Sequence, residues 1–246
     1  MAADAKRGLL KFLMVGGGII VLTLALFVTA SAPTLAQTDD HKIYLPIIFV
    51  PPPPPPILFY DNFSTSKSGW QQSTSGNCMA LYQDHVYGTL TKSNHVCYWP
   101  APKGAAFTYG TFEVEAREID IYESRSREFS YGLYFNHNSS GYYLFSVKHN
   151  KRNGNCDWKL TRYAKGSDTL LQGDCLTTGN PANRFNILQV KHAVNGTISV
   201  SLNDHLLSSY IDSQHLTGTG TGLYIEEISE DGDIIVGFDN FTVYRP

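Results

Sequence analysis

From Ile57 to the C-terminus, apolar and polar residues alternate in short runs, and nothing keeps a helical period for eleven residues. The alternating runs are rich in β-branched and aromatic residues, which predicts strands. They fall near 57–60, 78–82, 86–91, 95–99, 106–117, 128–136 and 142–149. They continue near 156–164, 168–175, 185–194, 197–202, 205–211, 220–226 and 234–244. Turn-forming pairs such as Asp84-His85, Ser140-Gly141, Asn153-Gly154, Asn195-Gly196 and Asn203-Asp204 punctuate them. The pattern predicts an all-β domain, a two-layer antiparallel sandwich over 57–246, with no fixed-period repeat.

One hairpin can be registered residue by residue. Folding 156–175 about Lys165-Gly166 sets Leu160 opposite Leu171, Trp158 opposite Gly173 and Cys156 opposite Cys175. Directly paired residues on antiparallel strands lie about 4.5–5.5 Å apart, within disulfide reach. An indole over a glycine is a recognised cross-strand accommodation, and the leucines make an apolar pair. This register selects a Cys156–Cys175 disulfide and leaves Cys78 for Cys97.

The N-terminus follows a different pattern. Lys6, Arg7 and Lys11 precede an uncharged, apolar run from Phe12 to Val28, and small residues follow as far as Ala36. That order is a secretory signal occupying residues 1–36. The apolar run also approaches the ~20 residues that span a bilayer, so an uncleaved membrane anchor is the alternative. Either reading puts the rest of the chain outside the cytoplasm, in an extracellular or cell-surface location. Residues 37–56 then form a linker ending in six prolines, Pro51 to Pro56, a polyproline II rod of roughly 19 Å at ~3.1 Å per residue.

Charge and cysteine content narrow the partners. The full chain carries −3; its first 36 residues hold three basic residues and one acidic one, which leaves −5 on the remainder. No basic stripe is present, which argues against nucleic acid. Four cysteines, all beyond residue 77, suit two disulfides in an oxidising compartment. No C-x-x-C occurs, so neither a zinc knuckle nor a thioredoxin-like motif is available.

Several stretches carry a family resemblance: Tyr60-Asp61-Asn62-Phe63 with Ser68-Gly69-Trp70, Tyr131 to Phe135, Gly141 to Phe145, Ser199 to Asn203 and Phe238 to Tyr244. Together they resemble the concanavalin-A-like lectin/glucanase superfamily, in its 3-keto-disaccharide hydrolase or laminin-G-like branches. The resemblance implies a jelly-roll fold with a carbohydrate-facing concave sheet. Glu118-Ile-Asp-Ile-Tyr-Glu123 is similar to the catalytic strand of glycoside hydrolase family 16. Carried over, Glu118 is the nucleophile, Asp120 its assisting carboxylate and Glu123 the acid/base. Five residues separate Glu118 from Glu123, so the two share a face only if a β-bulge intervenes. The bland reading is a charged strand end ion-paired to nearby arginines.

For binding, 15 Tyr and 3 Trp supply faces on which sugars stack. Alternation puts Tyr131, Leu133 and Phe135 in the core and Ser130, Gly132, Tyr134 and Asn136 on the opposite face. Tyr142, Leu144 and Ser146 likewise oppose Tyr143, Phe145 and Val147. The candidate sugar-binding residues are Tyr134, Asn136 and Tyr142, with Arg162 on the neighbouring hairpin. Two carboxylate pairs suggest a structural calcium: Asp61 with Asp239, in similar Asp-Asn-Phe triplets at opposite ends of the domain, and Asp157 with Asp174, opposed in the hairpin register. Lys159 or Lys151 would relieve the second pair as well. The expected function is an exported or cell-surface glycan-binding module; the alternatives are a family-16-like glycosidase and an adhesive domain without a small ligand.

Overall fold

The alternation becomes fourteen strands among the residues that the computed structural model describes, 53–119, 128–175, 177–214, 216–229 and 232–246. The expected signal or anchor, most of the linker, and the expected carboxylates Asp120 and Glu123 lie outside them. The first strands are β1 (Ile57–Asp61), β2 (Cys78–Gln83), β3 (Val86–Thr91), β4 (His95–Pro100) and β5 (Gly110–Glu118). Next come β6 (Glu128–Asn138), β7 (Gly141–Asn150), β8 (Asn155–Tyr163), β9 (Ser167–Asp174) and β10 (Asn186–His192). The last are β11 (Thr197–Leu202), β12 (His205–Ile211), β13 (Gly220–Glu227) and β14 (Ile234–Tyr244). Each matches an expected run. β5 begins later than its run because a short 3₁₀ turn, Lys103–Ala105, precedes it and Gly110 backs onto the Tyr244 carbonyl, 2.7 Å from where a Cβ would stand.

Two antiparallel sheets result. One has eight strands in the order β12-β11-β10-β5-β14-β3-β2, with β1 also paired to β14; the other has six, β4-β13-β6-β7-β8-β9. β14 joins β5 along one edge; its other edge takes β3 over Ile234–Phe238 and β1 over Phe241–Tyr244. Period-two burial aims Phe112, Val114 and Ala116 of β5 and Tyr131, Leu133 and Phe135 of β6 into the layer between the sheets.

The hairpin pairs in the expected register, Leu160 with Leu171 and Trp158 with Gly173. The indole lies over the glycine: a Cβ on Gly173 would stand 2.8 Å from Trp158 Nε1. Cys156 is bonded to Cys175, and Cys78 to Cys97. The second bond links β2 to β4 and so ties one sheet to the other.

The core also encloses polar groups. Asn186 Nδ2 donates to the Tyr131 hydroxyl (2.9 Å), which lies 2.9 Å from His149 Nε2. Burial lowers the His149 pKa from 6.5 to about 4, so the ring is neutral at physiological pH. The unfolded chain therefore binds a proton that the folded chain refuses. Stability from this group is complete above pH 6.5 and falls as the pH drops towards 4. The expected loss at the lower limit is about 3 kcal/mol. Thermal unfolding of wild type and His149→Gln across that range checks it: the gap between the two curves should narrow on acidification.

Candidate functional site

The outward face of the six-stranded sheet carries a strip of tyrosines, one from each of five neighbouring strands: Tyr98 on β4, Tyr224 on β13, Tyr134 on β6, Tyr142 on β7 and Tyr163 on β8. At ~4.8 Å per strand the strip is about 19 Å long. Tyr98 pairs in register with Tyr224, and Tyr142 with Tyr163. Ring centroids are 5.4 Å apart for Tyr98–Tyr224, 5.7 Å for Tyr98–Tyr134 and 6.0 Å for Tyr134–Tyr142. Tyr142 stacks on Tyr163 at 4.7 Å with 15° between the planes.

Glycine makes this close packing possible. Gly222 pairs in register with Tyr134, whose ring lies across it; a Cβ there would stand 2.6 Å from the Tyr134 hydroxyl. With no side chain in the way, Tyr98 reaches over β13 and β6, and its hydroxyl comes within 2.9 Å of that of Tyr142. The Tyr224 hydroxyl donates to Glu226. Tyr98 is 41% exposed, whereas Tyr134 and Tyr224 form the buried floor and Tyr142 and Tyr163 are half-buried. Burial pushes the hydroxyls of Tyr98, Tyr134 and Tyr224 far up, and the Tyr142 hydroxyl and the Glu226 carboxylate add to this at Tyr98 and Tyr224. The strip is therefore uncharged, an apolar platform edged with hydroxyls. His137 packs against Tyr134 and Tyr142 at 5.9 Å from each. Polar residues adjoin the strip on the same face: the Tyr98–Tyr224 row continues through Gly132 to Ser146 and Lys159, and the next row pairs Glu226 with Ser130.

Of the four sugar-binding candidates, the structure brings together two, Tyr134 and Tyr142. Alternation put Asn136 beside them, but β6 is irregular between Phe135 and Asn138, and Asn136 has φ 55°. Its side chain is fully buried and donates to the carbonyls of Thr108 and Gly218, both at 2.8 Å. Arg162 shares the parity of Trp158 and Leu160, which face the core. Its guanidinium is bound by Asp212 at 2.9 Å and Asp168 at 2.8 Å, closing one end of the core. The residue of β8 that joins the strip is Tyr163. Tyr98, Tyr163 and Tyr224 were absent from the sequence candidates.

Glu118 belongs to the other sheet. It ends β5 with the parity of Phe112, Val114 and Ala116, is 4% exposed, and accepts from Lys151 Nζ at 2.6 Å. The expected outcome of Glu118→Gln is a stability loss of about 1–2 kcal/mol, because the buried end of β5 loses its charge-assisted bond from Lys151. Chemical denaturation of the variant measures it.

Both oxygens of Asp61 are engaged, by the Phe63 N–H and the Trp70 indole at 2.8 Å each. Asp239 accepts from the Asn240 N–H. Burial raises the Asp239 carboxyl pKa, although the Asn240 N–H, His85 and Arg117 pull it down. Asp157 does face Asp174, and on its other side Lys148 is its register partner, a cation other than Lys159 or Lys151. Among the described residues, no three His, Cys, Asp or Glu side chains are grouped closely enough to hold a metal ion.

No protein-family model matches the sequence, and no curated protein matches it significantly. Solved structures do resemble it. Bacillus licheniformis β-glucanase aligns with a TM-score of 0.57 at 10% identity, covering 76% of this chain and 98% of its own. The catalytic domain of an endo-1,3-β-glucanase (laminarinase) from Thermotoga petrophila RKU-1 aligns at 0.57 and 8% identity, covering 77% and 97%. A Bacillus subtilis protein of unknown function with a galectin-like fold aligns at 0.53 and 13% identity, covering 77% and 97%. At such identities the likeness is one of fold, and the fold is the concanavalin-like β-sandwich.

Proposed function

We propose that this protein is an exported glycan-binding module whose tyrosine strip holds a length of polysaccharide without cleaving it. The observation that carries this reading is the strip itself: five rings from five adjacent strands, uncharged, hydroxyl-edged and flanked by serine, lysine and glutamate. Sugar rings stack on aromatic surfaces, and a few polar groups then fix their orientation. A strip about 19 Å long favours several successive sugar units over a single terminal one. Two disulfides fit a compartment outside the cytoplasm, where the polyproline linker would hold the module away from its attachment. The β-glucanase and the laminarinase among the structural neighbours make β-glucans the first polymers to try.

The glycosidase reading has less support. Glu118, which it makes the nucleophile, is buried on the opposite sheet and held by Lys151. Affinity electrophoresis of the whole chain in gels containing laminarin or mixed-linkage glucan tests the proposal. Retardation without release of reducing sugar is expected; reducing ends that appear with wild type and vanish with Glu118→Gln would overturn it.

A further inference from the structure

The eight-stranded sheet has its own feature on its outward face, away from the tyrosines. A cleft of about 590 Å³ crosses β2, β3, β14 and the end of β5. That volume lies within the range of small-molecule sites. Its middle row runs in register Leu81–Gly88–Gly237–Arg117. Two glycines side by side on neighbouring strands remove the side chains that would fill the centre. Met79, Leu90 and Ile235 form one wall and Val86 the other. Ile119 folds over Gly237, within 2.5 Å of where a Cβ would stand, and narrows one end. The floor at Gly88 is open: a Cβ there would meet only the Leu81 carbonyl oxygen, at 3.7 Å.

Arg117 supplies the chemical direction. It is the one cation among the described lining residues, and its guanidinium lies 4.6 Å from the Phe185 ring centroid, which holds it in place. Among the described residues its side chain makes no hydrogen bond, and its Nε is buried without a partner. A fork of N–H donors left unpaired beside an apolar trough calls for a planar anion. Asp84 lines the hairpin end of the cleft, and Asp239 is close enough to feel the Arg117 charge. Asp84 repels an anion from the hairpin end of the cleft, which leaves the Arg117 end as the favourable one, although Asp239 beside it offsets part of the guanidinium charge.

We propose that this cleft binds an aliphatic carboxylate, its hydrocarbon chain lying over Gly88 between the apolar walls and its carboxylate on Arg117. Calorimetric titration of the whole chain with decanoate, and separately with 1-decanol, tests it. Saturable binding of decanoate is expected, at least about tenfold tighter than that of the alcohol. Gly88→Leu should fill the trough and weaken decanoate by about tenfold or more while leaving the melting temperature unchanged. Arg117→Met should weaken decanoate by a similar factor and spare the alcohol. Equal affinity of the wild type for acid and alcohol would overturn the assignment, as would undiminished decanoate binding by Gly88→Leu.

Discussion

Tyr142→Ala should weaken binding of a β-glucan chain by about tenfold or more, the scale of a central aromatic anchor. Tyr142 is the junction of the strip: it stacks on Tyr163, contacts Tyr134 and His137, and its hydroxyl meets that of Tyr98. Removing it deletes one ring and also frees two others from their fixed positions. Tyr142→Phe keeps the ring stack and loses only the hydroxyl contact with Tyr98, so it should retain most of the affinity. Migration of wild type and both variants in glucan gels gives the ranking directly. Equal migration of the alanine variant and wild type would remove the strip from consideration as the sugar site.

Gly132→Ala should cost more than about 3 kcal/mol and lower the melting temperature by about 10 °C. Gly132 lies at the centre of the same sheet, paired with Ser146 on one side and Tyr224 on the other. A Cβ there would come within 2.1 Å of the Phe145 carbonyl oxygen and 2.8 Å of the Ser146 Cα. Both are backbone atoms, so no side-chain rotation relieves the contact and β7 must move away from β6. Thermal unfolding followed by circular dichroism measures the shift, and a loss below 1 kcal/mol, an order-of-magnitude threshold for strained core substitutions, would contradict the geometry.

The fold was legible because its signals are local. Each strand shows its own alternation, and the Trp158–Gly173 pair fixes a register within one hairpin. The tyrosine strip depends on something that is not local. Tyr98, Tyr224 and Tyr134 come together only because β4 lies beside β13 and β13 beside β6, strands separated by more than a hundred residues in the case of β4 and β13. No periodicity within a strand encodes that adjacency. Asn136 is a different kind of miss: alternation gave its side correctly until the strand irregularity turned it inward. Arg162 was readable, since it lies an even number of residues from Trp158 and Leu160, and parity alone assigns it to the inner face and Tyr163 to the outer one.

β14 has a consequence for how the molecule is made. It separates β5 with its neighbours from β3, β2 and β1, yet it follows every one of them along the chain. Until its eleven residues emerge from the ribosome, half of the sandwich consists of ribbons without a common seam. The eight-stranded sheet therefore closes late: β5 with its neighbours and β3 with β2 remain separate hairpins until the one strand that borders both is available to join them.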